Sequence, residues 1–136
     1  DDLAENCQPP PSRIELRMRI SALIGTGGRL WGSALELASF IWVHRRLLIG
    51  KDVLELGCGL GLPSLVASHF AAKVVASDCS HSVVDNMHST AREMSPAASK
   101  VLSARHLNFV DASGMSAAGL GCWDVVLFAD CVYHTE

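Results

Sequence analysis

The chain has 136 residues, with 11 Lys and Arg against 14 Asp and Glu, for a formal charge of −3. Apolar residues make up 49% and charged residues 18%. This composition excludes bulk disorder, supports the core of one domain at most, and argues against a dedicated nucleic-acid or anionic-membrane binder.

Two further classes fall away on motif grounds. The longest apolar stretch, Leu30 to Val43, carries Glu36 and runs into His44, Arg45 and Arg46, whereas a membrane span needs ~20 mostly apolar residues. The five cysteines (Cys7, Cys58, Cys79, Cys122 and Cys131) are odd in number and form no CxxC. That favours reduced thiols in an intracellular protein over a disulfide framework. Cys79 and His81 are neighbours, but no second cluster stands at ligand spacing, so no metal site is expected.

In chain order, residues 1–12 are polar, contain Pro9, Pro10 and Pro11, and read as a flexible tail; residues 13–136 read as the domain. Ile14, Leu16, Met18 and Ile20 alternate with Glu15, Arg17 and Arg19, the period of a half-buried strand. Gly25-Thr26-Gly27-Gly28 predicts a turn. Trp31, Ala34, Leu35, Ala38, Ile41 and Trp42 then fall at helical spacing, with Ser33 and Glu36 as a capping box and Gly50 as the stop.

From Lys51, strands and helices alternate. Val53, Leu54 and Leu56 predict a buried strand, followed by a glycine turn and a helix over about 62–71 with Pro63 in its first turn. Val74, Val75 and Ala76 form a second strand ending at Asp78. A helix capped by Ser82 and Asp85 follows, its apolar face made of Val83, Val84, Met87, Ala91 and Met94. Residues 101–107 predict a third strand and 125–129 a fourth, with a short helix between them. Strand–helix–strand repetition means parallel pairing, so the fold class is a doubly wound, mainly parallel α/β sheet. Ligands of such sheets sit beyond the carboxyl ends of the strands.

The first of those ends carries the strongest signal. VLELGCGLGLP places Gly57, Gly59 and Gly61 between strand and helix, where they permit a tight turn and close approach of a ligand to the backbone. Asp78 ends the second strand, placed to accept bonds from both hydroxyls of a ribose. The glycine spacing is GxGxG, preceded by Glu55, and not the GxGxxG of dinucleotide sites. It is the pattern expected for S-adenosyl-L-methionine, which has no pyrophosphate to hold.

With GGRLWGSALELASFI, VLELGCGLGLPSL, KVVASD and WDVVLFADCVY in place, the chain resembles the class I seven-strand methyltransferases, and within them the protein-lysine methyltransferase-like group, methyltransferase family 16. The resemblance implies S-adenosyl-L-methionine as cofactor. Trp31 would lie near its methionine end, Glu55, Gly57, Cys58, Gly59 and Gly61 would shape its pocket, and Asp78 would hold its ribose. Asn108 and Phe109 stand where the family often has Asp-Trp; Phe109 still stacks on a base, and Asn108 keeps an acceptor. Ala129 would border the cofactor. Asp130 and Tyr133, from the acidic-x-x-aromatic motif, would face the substrate amine as the catalytic pair. A carboxylate ordinarily titrates too low for an efficient base, so Asp130 is expected to orient the incoming ammonium. Ser89 stands where the family tends to carry Asn, which implies a missing bond between elements.

The expected activity is methyl transfer to lysine side chains of a protein substrate, by a cytoplasmic protein that is also open to the nucleus and is monomeric when complete. The alternatives are a small molecule, another side chain or RNA as acceptor, or a cofactor-fold protein that only binds. Trp42 and Trp123 are read as packing residues and Arg45-Arg46 as a solvated helix end. Four strands against the family's seven imply roughly 65 further residues. The fourth strand would then be an exposed apolar edge, and the 136-residue piece alone is expected to fold poorly or to be inactive.

Overall fold

Val53, Leu54, Glu55 and Leu56 are all buried, the burial of a central parallel strand covered on both faces. The computed structural model describes residues 11–110, 113, 116 and 122–131. Its strands are β1 (Asp52–Leu56), β2 (Lys73–Asp78), β3 (Leu102–His106) and β4 (Val125–Phe128). They pair in parallel in the order β3-β2-β1-β4. Val53 stands opposite Val74 on one side and Val125 on the other.

The helices are α1 (Gly32–Val43), α2 (Leu62–Ala67), α3 (His81–Arg92) and α4 (Pro96–Val101). Period-two alternation divides the sheet. Val53, Val74, Ala76 and Leu127 share one cluster with Ile41 of α1, Leu65 of α2 and Met87 of α3. Leu54, Leu56, Val75 and Leu107 form a second, with Phe109, Trp123 and Val126 packed on it. Trp42 packs on the main cluster, and Lys73 lies 4.8 Å above the Trp123 ring, so both tryptophans are packing residues. No helix among the described residues is long and apolar enough to cross a membrane.

The expected N-terminal strand is corrected. Ile14, Leu16 and Met18 face the core and Glu15 and Arg17 face away, as extended backbone dictates. The segment nevertheless joins no ladder, because it crosses helices and not a sheet edge: Glu15, Leu16 and Arg17 share a crevice with Leu65, His69 and Met94. Asn86 of α3 donates its side-chain N–H to the Arg19 carbonyl at 2.9 Å. Ser89 itself donates back to the Asp85 carbonyl of its own helix at 3.1 Å, so the tie from α3 to this segment comes from Asn86.

The expected capping box of α1 and the expected cap of α3 are also corrected. Helix α1 starts at Gly32, so Ser33 lies inside the first turn and its hydroxyl is buried without a partner. Helix α3 starts at His81 after Ser80, whose hydroxyl meets that of Ser82 at 2.9 Å and caps no backbone N–H. Helix α1 ends at Val43, ahead of Gly50. Arg45 folds back over Trp42, its ring 4.8 Å away, and donates to the Trp42 carbonyl at 2.8 Å, so only Arg46 is a solvated helix end.

Among the described residues β4 is an edge strand, and Phe128 is 63% exposed on it. Phe128→Ser is expected to slow aggregation in light scattering while shifting stability by less than ~0.5 kcal/mol, since little burial is lost. Unchanged aggregation would show that the edge is not the sticking surface.

Candidate functional site

The carboxyl ends of β1, β2 and β4 open into a cavity of about 530 Å³, a volume within the ~300–1,000 Å³ range of small-molecule sites. The β1–α2 loop forms its floor. Gly57, Gly59 and Gly61 hold φ of 62°, 51° and 73°, the left-handed region that glycine enters without strain. A Cβ on Gly57 would stand 2.5 Å from the Cβ of Cys131, and one on Gly59 would stand 3.4 Å from the Gly27 carbonyl oxygen. The loop is therefore pressed between β4's end and the glycine turn before α1, with its backbone on the cavity wall at the three glycines.

Glu55 explains why an acid precedes this loop. Its carboxylate accepts the Ser64 backbone N–H at 3.0 Å and the Ser64 hydroxyl, bracing the end of β1 against the start of α2 across the turn. Burial pushes its pKa up to about 8, the Ser64 hydrogen bonds pull it down, and nearby Asp78 adds to the rise. Ser77 donates to the Glu55 carbonyl at 2.6 Å, and Cys58 N–H to the Ser77 carbonyl at 2.9 Å, which fixes the loop to β2.

Asp78 is oriented before any ligand arrives. One carboxylate oxygen accepts Gly59 N–H at 3.1 Å and the other Ser80 N–H at 3.0 Å. Each retains a lone pair, so the group can still accept two hydroxyls. Phe109 is half-buried on the cavity wall beside exposed Asn108. The Asn108 side-chain oxygen accepts Val110 N–H at 3.2 Å, so the acceptor expected to face a ligand is engaged locally and the amide N–H₂ is the free end.

Opposite the loop, Trp31 donates its ring N–H to the Thr26 carbonyl at 3.1 Å, which fixes the indole at the mouth. Ala129 and Asp130 close the side at β4's end. Asp130 has φ 52°, the one positive φ outside glycine among the described residues, and such backbone in a non-glycine residue marks a functional constraint more often than a random position does. Burial raises the thiol pKa values of both Cys58 and Cys131.

The structure thus brings together Trp31, Glu55, Gly57, Cys58, Gly59, Gly61, Asp78, Asn108, Phe109, Ala129 and Asp130 in one cavity. Tyr133 lies outside the described residues. Sequence reasoning missed Ile24, Thr26, Gly27 and Arg29, which also line the cavity. Their signal was the glycine-rich turn immediately before Trp31, read only as a turn.

Residues 11–136 match the profile of a family described as lysine methyltransferase. The chain is 41% identical over 68 residues to the histone-arginine methyltransferase METTL23 of Rattus norvegicus, covering 50% of this chain and 30% of that protein. It is 36% identical over 139 aligned positions to the protein N-terminal and lysine N-methyltransferase efm7 of Schizosaccharomyces pombe, covering 93% and 52%. It is 38% identical over 82 residues to the protein-lysine N-methyltransferase EFM3 of Chaetomium thermophilum, covering 59% and 24%. The chain spans about half the length, or less, of these relatives.

Proposed function

The chain belongs to the lysine methyltransferase family, and on that basis we propose that it binds S-adenosyl-L-methionine in the β1–β2–β4 cavity and methylates lysine side chains of a protein. The observation that carries the reading is the convergence, in one cavity, of a loop with glycine at its three left-handed positions, an oriented Asp78 and the aromatic rings of Trp31 and Phe109. The cavity volume and lining fit this cofactor: Asp78 for the ribose, Phe109 for the base, and the glycine backbone and Trp31 for the amino-acid end. When bound, the cofactor supplies a methyl carbon already activated by its sulfonium.

The chain's own residues then have two tasks. The first is alignment of an amine with that carbon, because positioning alone supplies several kcal/mol toward an in-line displacement. Asp130 orients the ammonium before it loses its proton. The second is suppression of rival nucleophiles. Cys58 and Cys131 line the same cavity, and burial keeps them as thiols, the unreactive form.

The test is labelled methyl transfer from S-adenosylmethionine by the full-length protein into an extract, with the modified residue identified by mass spectrometry. Methyl-lysine is the expected product. Label confined to arginine, to small molecules or to RNA would overturn the lysine reading. Asp130→Asn is the matched variant, because Asn tolerates the left-handed backbone. It is expected to hold cofactor affinity within about twofold and to lower transfer at least tenfold, by about 1.4 kcal/mol or more.

A further inference from the structure

The ionisable groups lining the cavity are unevenly signed. Asp78 and Asp130 are acids, Glu55 is a third whose burial disfavours its charge, and Arg29 is the single basic residue among the described lining residues. Its guanidinium carbon lies 5.3 Å from the centroid of the Trp31 ring, an indole whose own N–H is tied to the Thr26 carbonyl. Stacking on a fixed aromatic face restricts an otherwise long side chain and leaves its N–H fork free to meet a planar anion. The proposed methyl donor carries one such anion. Its sulfonium and ammonium suit an acid-lined cavity, but its carboxylate would be repelled there without a cation.

We propose that Arg29, held on Trp31, is the anchor for the carboxylate at the amino-acid end of the methyl donor. The assignment rests on the reading of this cavity as the donor site and adds a residue to it. Asp78 grips one end of the donor at β2 and Arg29 the other, from the segment before α1. The sulfonium is thereby fixed at both ends of the molecule, beside Asp130. Lysine at this position would keep the charge and lose both the bidentate fork and the stacked platform.

The test compares S-adenosylmethionine with its decarboxylated analogue, which lacks only the carboxylate, in titrations of the full-length protein. Wild type is expected to bind the decarboxylated compound about tenfold or more weakly, the range for a hydrogen-bonded charge pair. Arg29→Met should bind S-adenosylmethionine weaker by the same factor and the analogue unchanged, so that the preference disappears. Arg29→Lys should fall between the two. Equal weakening of both ligands in Arg29→Met, or a preference that survives it, would overturn the proposal while leaving the donor site intact. Unchanged donor binding with a raised KM for the protein acceptor would also overturn it, placing Arg29 against an acidic substrate. Failure of wild type to bind either compound would sink the donor-site reading and this inference with it.

Discussion

Gly57→Ala is expected to cost about 2–5 kcal/mol of stability and to weaken methyl-donor binding at least tenfold. Two effects combine. A Cβ at φ 62° carries the left-handed penalty of ~1–2 kcal/mol. That Cβ would also stand 2.5 Å from the Cβ of Cys131, an atom fixed to the backbone that cannot rotate away, and overpacking of this kind adds ~1–3 kcal/mol. Relief requires the loop or the end of β4 to move, and both form the cavity. Gly50→Ala is the control: its φ is 71°, with nothing within 4 Å of the added carbon. It should pay only the backbone penalty and leave donor binding unchanged. Denaturant midpoints and donor titrations of the two variants side by side check this; equal losses in both would show that the loop does not press on Cys131.

Glu55→Gln is expected to remove a pH dependence that wild type shows. The folded-state pKa of Glu55 is about 8 and its ordinary value is 4.5. Between these values the folded protein binds a proton that the unfolded chain releases. The Glu55 contribution is therefore fully present below about pH 4.5 and is lost as pH rises through about 8. From pH 6 to pH 9 the loss amounts to roughly 2–3 kcal/mol at ~1.4 kcal/mol per pH unit. Gln keeps an acceptor for Ser64 and has no charge to bury. Groups that do not feel Glu55 act on both proteins alike, and Cys58 and Cys131, which do, are held up chiefly by burial in either, so the difference between the two stability–pH curves reports Glu55. Wild type should lose stability relative to Glu55→Gln across that window; parallel curves would show that the carboxyl is not buried against Ser64.

The two variants also mark what was legible in the sequence. The glycine loop and β1 could be read because a strand buried on both faces is a continuous apolar run and the left-handed turn after it admits glycine at little cost. Asp78 could be read because a strand end projects its last side chain to the ligand side of the sheet. The Glu55–Ser64 tie could not, because its partners stand nine residues apart across a turn. The alternation of Ile14, Leu16 and Met18 reported extended backbone truthfully but said nothing of a partner, and the segment lies on helices instead of a strand. Ser33 and Ser82 matched a capping pattern, yet each helix began before the serine, and a cap works only at the residue that flanks the first turn. Arg29 stood two residues from a recognised tryptophan; its meaning came from the charge of side chains that only the fold collects.

The proposed function rests on S-adenosyl-L-methionine binding at the ends of β1, β2 and β4 through its ribose at Asp78. The most direct measurement is calorimetric titration of that compound into wild type and Asp78→Ala, with NAD as a competitor. The expected result is saturable one-to-one binding to wild type, a loss of at least tenfold in Asp78→Ala measured well below the variant's own unfolding midpoint, and no displacement by NAD. Undiminished binding by Asp78→Ala, or displacement by NAD, would contradict it.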